Sequence, residues 1–224
     1  MMRDEYTIWM LLTVVFITYF VISWVYYKLG ITNLEKALLA SNGLRFLNLK
    51  HGLGIVLFGV LFYLNFPGLR SLLINIEIPR LYILIPFILL VFILAYIAFR
   101  SSHVIAHKMD AISTYKFSYA WFYFFIRVLF LLCYEYFFRG VILFTLLNVF
   151  DPLMAIGISA TAYLIIHLFD TRKEIIGTIP FGIILCVLAY LTQSVWYPFL
   201  LHIALSAVYE ISIFYQLTIK TSKS

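Results

Sequence analysis

Long apolar stretches, separated by short polar groups, organise the chain from end to end. They predict membrane-crossing helices near 7–29, 52–66, 81–99, 118–149, 152–170, 174–193 and 195–217. Most approach the roughly 20 residues that a helix needs to cross a hydrocarbon layer. Two depart from that length. The stretch 52–66 is short and must borrow residues from a flank or lie partly re-entrant. The stretch 118–149 would extend about 48 Å as one helix at ~1.5 Å per residue, so it must tilt, project beyond the bilayer, or break. Between the first two spans, Asn33 to Lys50 mixes leucines with Lys36, Arg45 and Lys50, the pattern of an amphipathic helix lying at the interface. The fold class implied is all-α, a polytopic transmembrane helical bundle of about seven spans. No internal repeat, low-complexity stretch or separate soluble domain is visible. Three regions follow: N-terminal helices with the interfacial segment over 1–117, a helical core over 118–217, and a short basic tail over 218–224.

Composition narrows the function. The chain is 64% apolar and 12% charged, against roughly one-half and one-quarter in soluble domains. Too little polar surface exists for a soluble enzyme, a nucleic-acid binder or a disordered chain. The expected surroundings are the lipid bilayer and no nucleic acid, with an integral, multi-pass membrane location. The net charge of +6 comes from residues lying mostly between apolar runs. Eleven of the 16 basic residues fall on one side and three on the other if the N-terminus is outside, which favours N-out/C-in. A double crossing within 118–149 would reverse the downstream half. The run from Thr7 to Tyr27 lacks a following small-residue cleavage site and reads as an uncleaved anchor. Cys133 and Cys186 both lie inside apolar runs, so no disulfide is expected.

An ionisable side chain at bilayer depth costs roughly 2.5–3.5 kcal/mol even on the lenient insertion scale, so each one needs a reason. The set is Arg127, Glu135, Arg139, His167, His202 and Glu210. Glu135 and Arg139 are four apart and share a helix face, where they can pair. Ala155, Ser159, Tyr163 and His167 form one ridge whose small members admit a close neighbour. Glu135 and His167 are each sixteen residues from the turn at Asp151-Pro152. They should therefore lie level, about 24 Å from that turn at ~1.5 Å per residue. His202, Ser206 and Glu210 make a third polar stripe. His202 follows its turn so closely that straight helices leave it about 12 Å short of His167 at ~1.5 Å per residue. A buried 193–197 turn, or tilt, would close the gap. His103 and His107, with Asp110 following, could offer a metal face, but in a basic loop they read more readily as simple surface residues.

At these residues the chain resembles the CAAX protease and bacteriocin-processing family of intramembrane proteases, the CPBP or Abi family. The motifs are Tyr134-Glu135-Tyr136-Phe137-Phe138-Arg139 followed by Gly140, then Tyr163-Leu164-Ile165-Ile166-His167, then His202-Ile203-Ala204-Leu205-Ser206 after Ser194-Val195-Trp196-Tyr197-Pro198. They occur in order, at one-helix intervals, over about 118–212. The resemblance implies an endopeptidase in which Glu135 takes the second-glutamate place, Arg139 orients it, His167 partners the hydrolytic water, and His202 with Ser206 polarises the scissile carbonyl. Tyr134 and Tyr163 would line the substrate. The implied partner is a membrane-associated peptide or protein, CAAX-like or bacteriocin-type. The family is often labelled a metalloprotease, so a divalent metal such as zinc at Glu135, His167 and His202 stays open beside a metal-free, glutamate-activated water. Two positions depart from the pattern: Tyr134 stands where the family has its first glutamate, and Ser206 where it has asparagine. A phenol, with an ordinary pKa of about 10, is a poor base. Glu210 is a second candidate for the missing carboxylate. Three functions compete: a membrane endopeptidase, a non-catalytic peptide-binding, immunity or scaffold protein, and a proton or solute carrier.

Overall fold

The structure, a computed structural model, describes residues 2–108 and 120–220. Among these residues the chain forms nine helices of four or more residues, seven of them long and apolar enough to cross a membrane. They are α1 (Met2–Lys28), α2 (Leu34–Leu39), α3 (Gly43–Asn65), α4 (Ser71–Ile74), α5 (Leu81–Lys108), α6 (Trp121–Leu147), α7 (Pro152–Ile166), α8 (Arg172–Thr192) and α9 (Trp196–Lys220). The all-α, seven-span bundle is thus borne out. Its termini follow local chemistry. Asp151 accepts from the Leu153 and Met154 amides at 3.0 and 3.1 Å, and Pro152 occupies the first turn of α7, which suits a ring with no amide to satisfy. Thr171 and Glu174 form a reciprocal capping box at the start of α8.

The single interfacial helix expected over Asn33 to Lys50 is not formed. The chain breaks after α2, turns at Asn42 with φ 56°, and restarts at Gly43. A Cβ at Gly43 would sit 2.1 Å from the Ala37 carbonyl oxygen, so only glycine permits this close turn. Arg45 and Lys50 therefore ride on the first turns of α3. The short stretch 52–66 becomes a 23-residue span by borrowing from its N-terminal flank. The long stretch 118–149 crosses once, as α6. Its residues 118–119 lie outside the described residues, as does Asp110 of the weaker histidine face. Within that face His103 packs edge-on to Phe99 at 4.4 Å and His107 is exposed.

Helix α6 is the axis of the bundle. Of its most apolar stretch 72% is buried, against 17–50% in the other spans. Helix α3 approaches it through small residues: a Cβ on Gly54 would lie 2.4 Å from the Phe130 ring, and one on Gly59 2.4 Å from Cys133 Sγ. Helix α7 lays its ridge against α6, with Ala155 and Ser159 fully buried and Tyr163 nearly so. Ser159 Oγ donates to the Phe138 carbonyl at 3.0 Å. Both α3 and α6 widen into π-helical segments, Ile55–Val60 and Tyr136–Ile142, and these touch. Phe58 stacks on Phe137 at 4.4 Å across that contact. Helix α9 packs along α5. Cys133 and Cys186 are free thiols.

The start of α9 is buried rather than surface-lying. Ser194 and Val195 are almost wholly enclosed. The Val195 amide donates to Leu72 O at 3.2 Å and Trp196 Nε1 to Leu73 O at 2.7 Å. Helix α4 therefore roofs the turn, which sinks α9 into the bundle and closes the depth gap anticipated for His202.

Two neighbouring glycines of α3 should respond oppositely. Gly54→Ala overpacks the Phe130 contact and is expected to lower stability by about 1–3 kcal/mol. Gly52→Ala faces open space and is expected to be neutral or to stabilise by up to about 1 kcal/mol. Detergent-phase unfolding of the two variants, measured in parallel, checks the close α3–α6 approach.

Candidate active site

The three motifs converge on α6. Tyr134 and Glu135 are consecutive, so their side chains leave the helix about 100° apart, and each meets a different histidine. Tyr134 Oη lies 3.2 Å from His167 Nε2. Glu135 Oε1 lies 2.5 Å from His202 Nδ1. The Tyr134 ring stands between the two imidazoles, its centroid 6.2 Å from His167 and 6.1 Å from His202, edge-on to both. The level placement of Glu135 and His167 predicted from the Asp151 turn accordingly holds to within one side chain.

Glu135 and Arg139 are fully buried. Arg139 Nη1 lies 3.3 Å from each oxygen of Glu135, and its guanidinium carbon sits 4.0 Å from the Tyr163 ring centroid. Tyr163, 2% exposed, is thus the face on which the arginine rests. A Cβ at Gly182 of α8 would come within 2.9 Å of Tyr163 Cδ1, so that glycine leaves the ring its room. Glu135 Oε2 has no hydrogen-bond partner and is held only by the neighbouring cation. His202 stacks edge-on against Phe181 at 5.4 Å. With Nδ1 committed to Glu135, its Nε2 alone can reach a ligand. Ser206 follows one turn later, half-buried.

His167 is differently placed. It terminates α7 and begins the 3-10 turn His167–Phe169. Its Nδ1 lies 2.5 Å from Asp170 Oδ2, and the two side chains are 24% and 28% exposed. Phe169 anchors the turn on α1 by packing against Phe20 and Tyr27 at 5.0 and 5.6 Å. Asp170 and Gly182 were not singled out from the sequence. The available signal for Asp170 was a carboxylate three residues after the motif histidine; its place at the end of a span made it look like an ordinary loop residue.

Glu210 is not part of this cluster. It binds Arg127, whose Nη2 and Nε donate at 2.8 and 2.9 Å, and Tyr123, whose hydroxyl donates at 2.8 Å. This separate triad ties α6 to α9 two turns beyond His202, and it removes Glu210 as the substitute for the missing first glutamate.

The donors do not fit a resident metal. Among the described residues no group of three His, Cys, Asp or Glu side chains is arranged to hold one. Glu135 and His202 face each other directly, while His167 gives one nitrogen to Asp170 and turns the other to Tyr134. A zinc ion would require such atoms at about 2.0–2.2 Å from a common point. What the arrangement offers instead is one partly exposed imidazole held by Asp170 and a second, more enclosed, anchored by a buried carboxylate.

Comparison with known proteins agrees with the motifs. Residues 116–208 match the Rce1-like family, described as type II CAAX prenyl endopeptidase Rce1-like. No curated protein and no solved structure matches the chain. The match covers all three motifs, and over that segment the resemblance to the CPBP family is borne out.

Removing one member of the buried pair strands the other. Arg139→Leu is expected to destabilise the protein by about 3–5 kcal/mol, whereas the Glu135→Leu/Arg139→Leu double variant should recover much of that loss. A double-mutant cycle of unfolding in detergent measures both.

Proposed function

We propose, from the premise that residues 116–208 belong to the CPBP family of membrane-embedded proteases, that this protein is an endopeptidase of the bilayer. Its substrate is a membrane-associated peptide, CAAX-like or bacteriocin-type, and its location a bacterial plasma membrane. The observation that carries the reading is the pair of imidazoles standing about 6 Å from one tyrosine ring. In this mechanism His167 takes the proton of an attacking water, and His202 Nε2, when protonated, donates to the developing oxyanion. Glu135 fixes the His202 ring through Nδ1, and Arg139, resting on Tyr163, fixes Glu135. The Ser206 hydroxyl supports the oxyanion one turn along the helix. Tyr134, between the imidazoles, lines the bound peptide.

A second reading, peptide binding without turnover, is favoured by one feature: the Tyr134 phenol occupies the place of a carboxylate and bonds His167 Nε2. Full-length protein in liposomes, given a farnesylated peptide with a CAAX end, separates the two. Cleavage detected by mass spectrometry, reduced about 10²–10⁴-fold in kcat by His167→Ala or by His202→Ala, supports the endopeptidase. Binding without cleavage, with cleavage gained only in Tyr134→Glu, would replace it by the binding protein.

A further inference from the structure

Position 134 raises a question that the endopeptidase reading leaves open, namely which group makes His167 a competent base. We propose, resting on that reading, that Asp170 is the positioning residue: it holds His167 through Nδ1 and so supplies from the far side of the ring the carboxylate function absent at position 134.

The geometry favours this pairing over a capping role. Thr171, not Asp170, caps α8, and the Asp170 side chain bonds His167 instead. The 3-10 turn brings residues three apart into near register, and the Asp170 amide donates to the His167 carbonyl at 3.0 Å, so the carboxylate lies alongside the ring. At 2.5 Å the Nδ1–Oδ2 contact is short. An ionised carboxylate can only accept there, so Nδ1 carries the proton and Nε2 presents its lone pair. That lone pair faces the Tyr134 hydroxyl at 3.2 Å, a long bond for an O–H donor. The Asp170 contact is therefore the fixed one, and the phenol is the one that an incoming water displaces. Both side chains of the pair are about one-quarter exposed, which gives water a route to them.

The step balances without an added reagent. Water oxygen bonds the scissile carbonyl carbon while one water proton moves to His167 Nε2, and the carbonyl electron pair goes to oxygen as an oxyanion. Collapse of that intermediate breaks the C–N bond, and the proton on Nε2 passes to the departing amine. Asp170 stays ionised throughout and stabilises the transient imidazolium. The products are an amine-ended peptide and a carboxyl-ended peptide, which gives up the second water proton to solvent as it ionises, and His167 returns to its starting form.

The test uses the full chain in liposomes with a farnesylated CAAX peptide, and ¹⁵N NMR of histidine-labelled protein in micelles. Asp170→Asn should lower kcat about 10²–10⁴-fold with KM changed less than about twofold. Asp170→Glu should restore part of the rate. Adding Tyr134→Glu to Asp170→Asn should recover at least about tenfold, because a carboxylate then returns to the opposite side of His167. The NMR spectrum should place the neutral-ring proton on Nδ1 of His167 in the wild type and lose that preference in Asp170→Asn. Wild-type turnover that survives Asp170→Asn, or an Nε2–H tautomer in the wild type, overturns the inference while leaving the endopeptidase reading intact. Turnover confined to Tyr134→Glu overturns the inference and favours the binding protein. Absence of turnover in both the wild type and Tyr134→Glu defeats the endopeptidase reading itself.

Discussion

A carboxylate enclosed at the axis of an apolar bundle sets the terms for everything around it. Glu135 has no exposed surface, and an ion so placed is tolerated only when nearby charge and hydrogen bonds replace its lost water. Arg139 supplies the charge and His202 the hydrogen bond. Each of those needs its own support. The guanidinium lies on Tyr163, Tyr163 needs the space left by Gly182, and α7 reaches α6 only because Ala155 and Ser159 are small. The same carboxylate demands that His202 lie deep. That depth is provided by α4, which covers the Val195 turn. Residues on five helices are thus constrained by one buried negative charge.

The shape of α6 then divides the chemistry. Consecutive residues on a helix diverge by about 100°, so Tyr134 and Glu135 address different neighbours, α7 and α9. The helix changes to π-helical geometry at the following residue. A π segment inserts an extra residue per turn and commonly marks a functional site. Here it carries Arg139, and it turns Phe137 toward the matching π segment of α3 through Phe58. The aromatic packing behind the site therefore stiffens the wall from which both side chains project.

Much of this was legible in the chain. Spans emerge from run length because lipid imposes one thickness on every helix. The level placement of Glu135 and His167 emerges because Asp151-Pro152 fixes a tight hairpin whose rise per residue is known. The failures have two causes: some depended on contacts between elements distant in sequence, the others on a local turn that the residue pattern does not reveal. Asn33 to Lys50 has an interfacial pattern, yet the close approach of Ala37 and Gly43 divides it. His202 looked too shallow because nothing in its own sequence reveals the roof contributed by Leu72 and Leu73. Glu210 looked available until Arg127 and Tyr123, more than 80 residues away, were seen to occupy it. Asp170 went unnoticed because a helix-end aspartate is common, and only the 3-10 turn brings it beside His167.

Exposure finally separates what the two histidines can do. Hydrolysis requires a water molecule at the reacting carbon, and water is scarce where Glu135 and Arg139 sit with no accessible surface. A pair so enclosed exchanges protons with solvent poorly; its strength is a fixed field in a low-dielectric setting, where oriented charges act most strongly on a developing oxyanion. His167 and Asp170 are each about one-quarter exposed. An imidazole has two nitrogens, so a carboxylate can steady it from either side while the other nitrogen does the work. With a glutamate at position 134 that carboxylate would share the water's side of the ring. With a tyrosine there, the remaining side of the ring is the one that Asp170 occupies, and in the proposed mechanism the enclosed His202 polarises the carbonyl while the more exposed His167 transfers the proton.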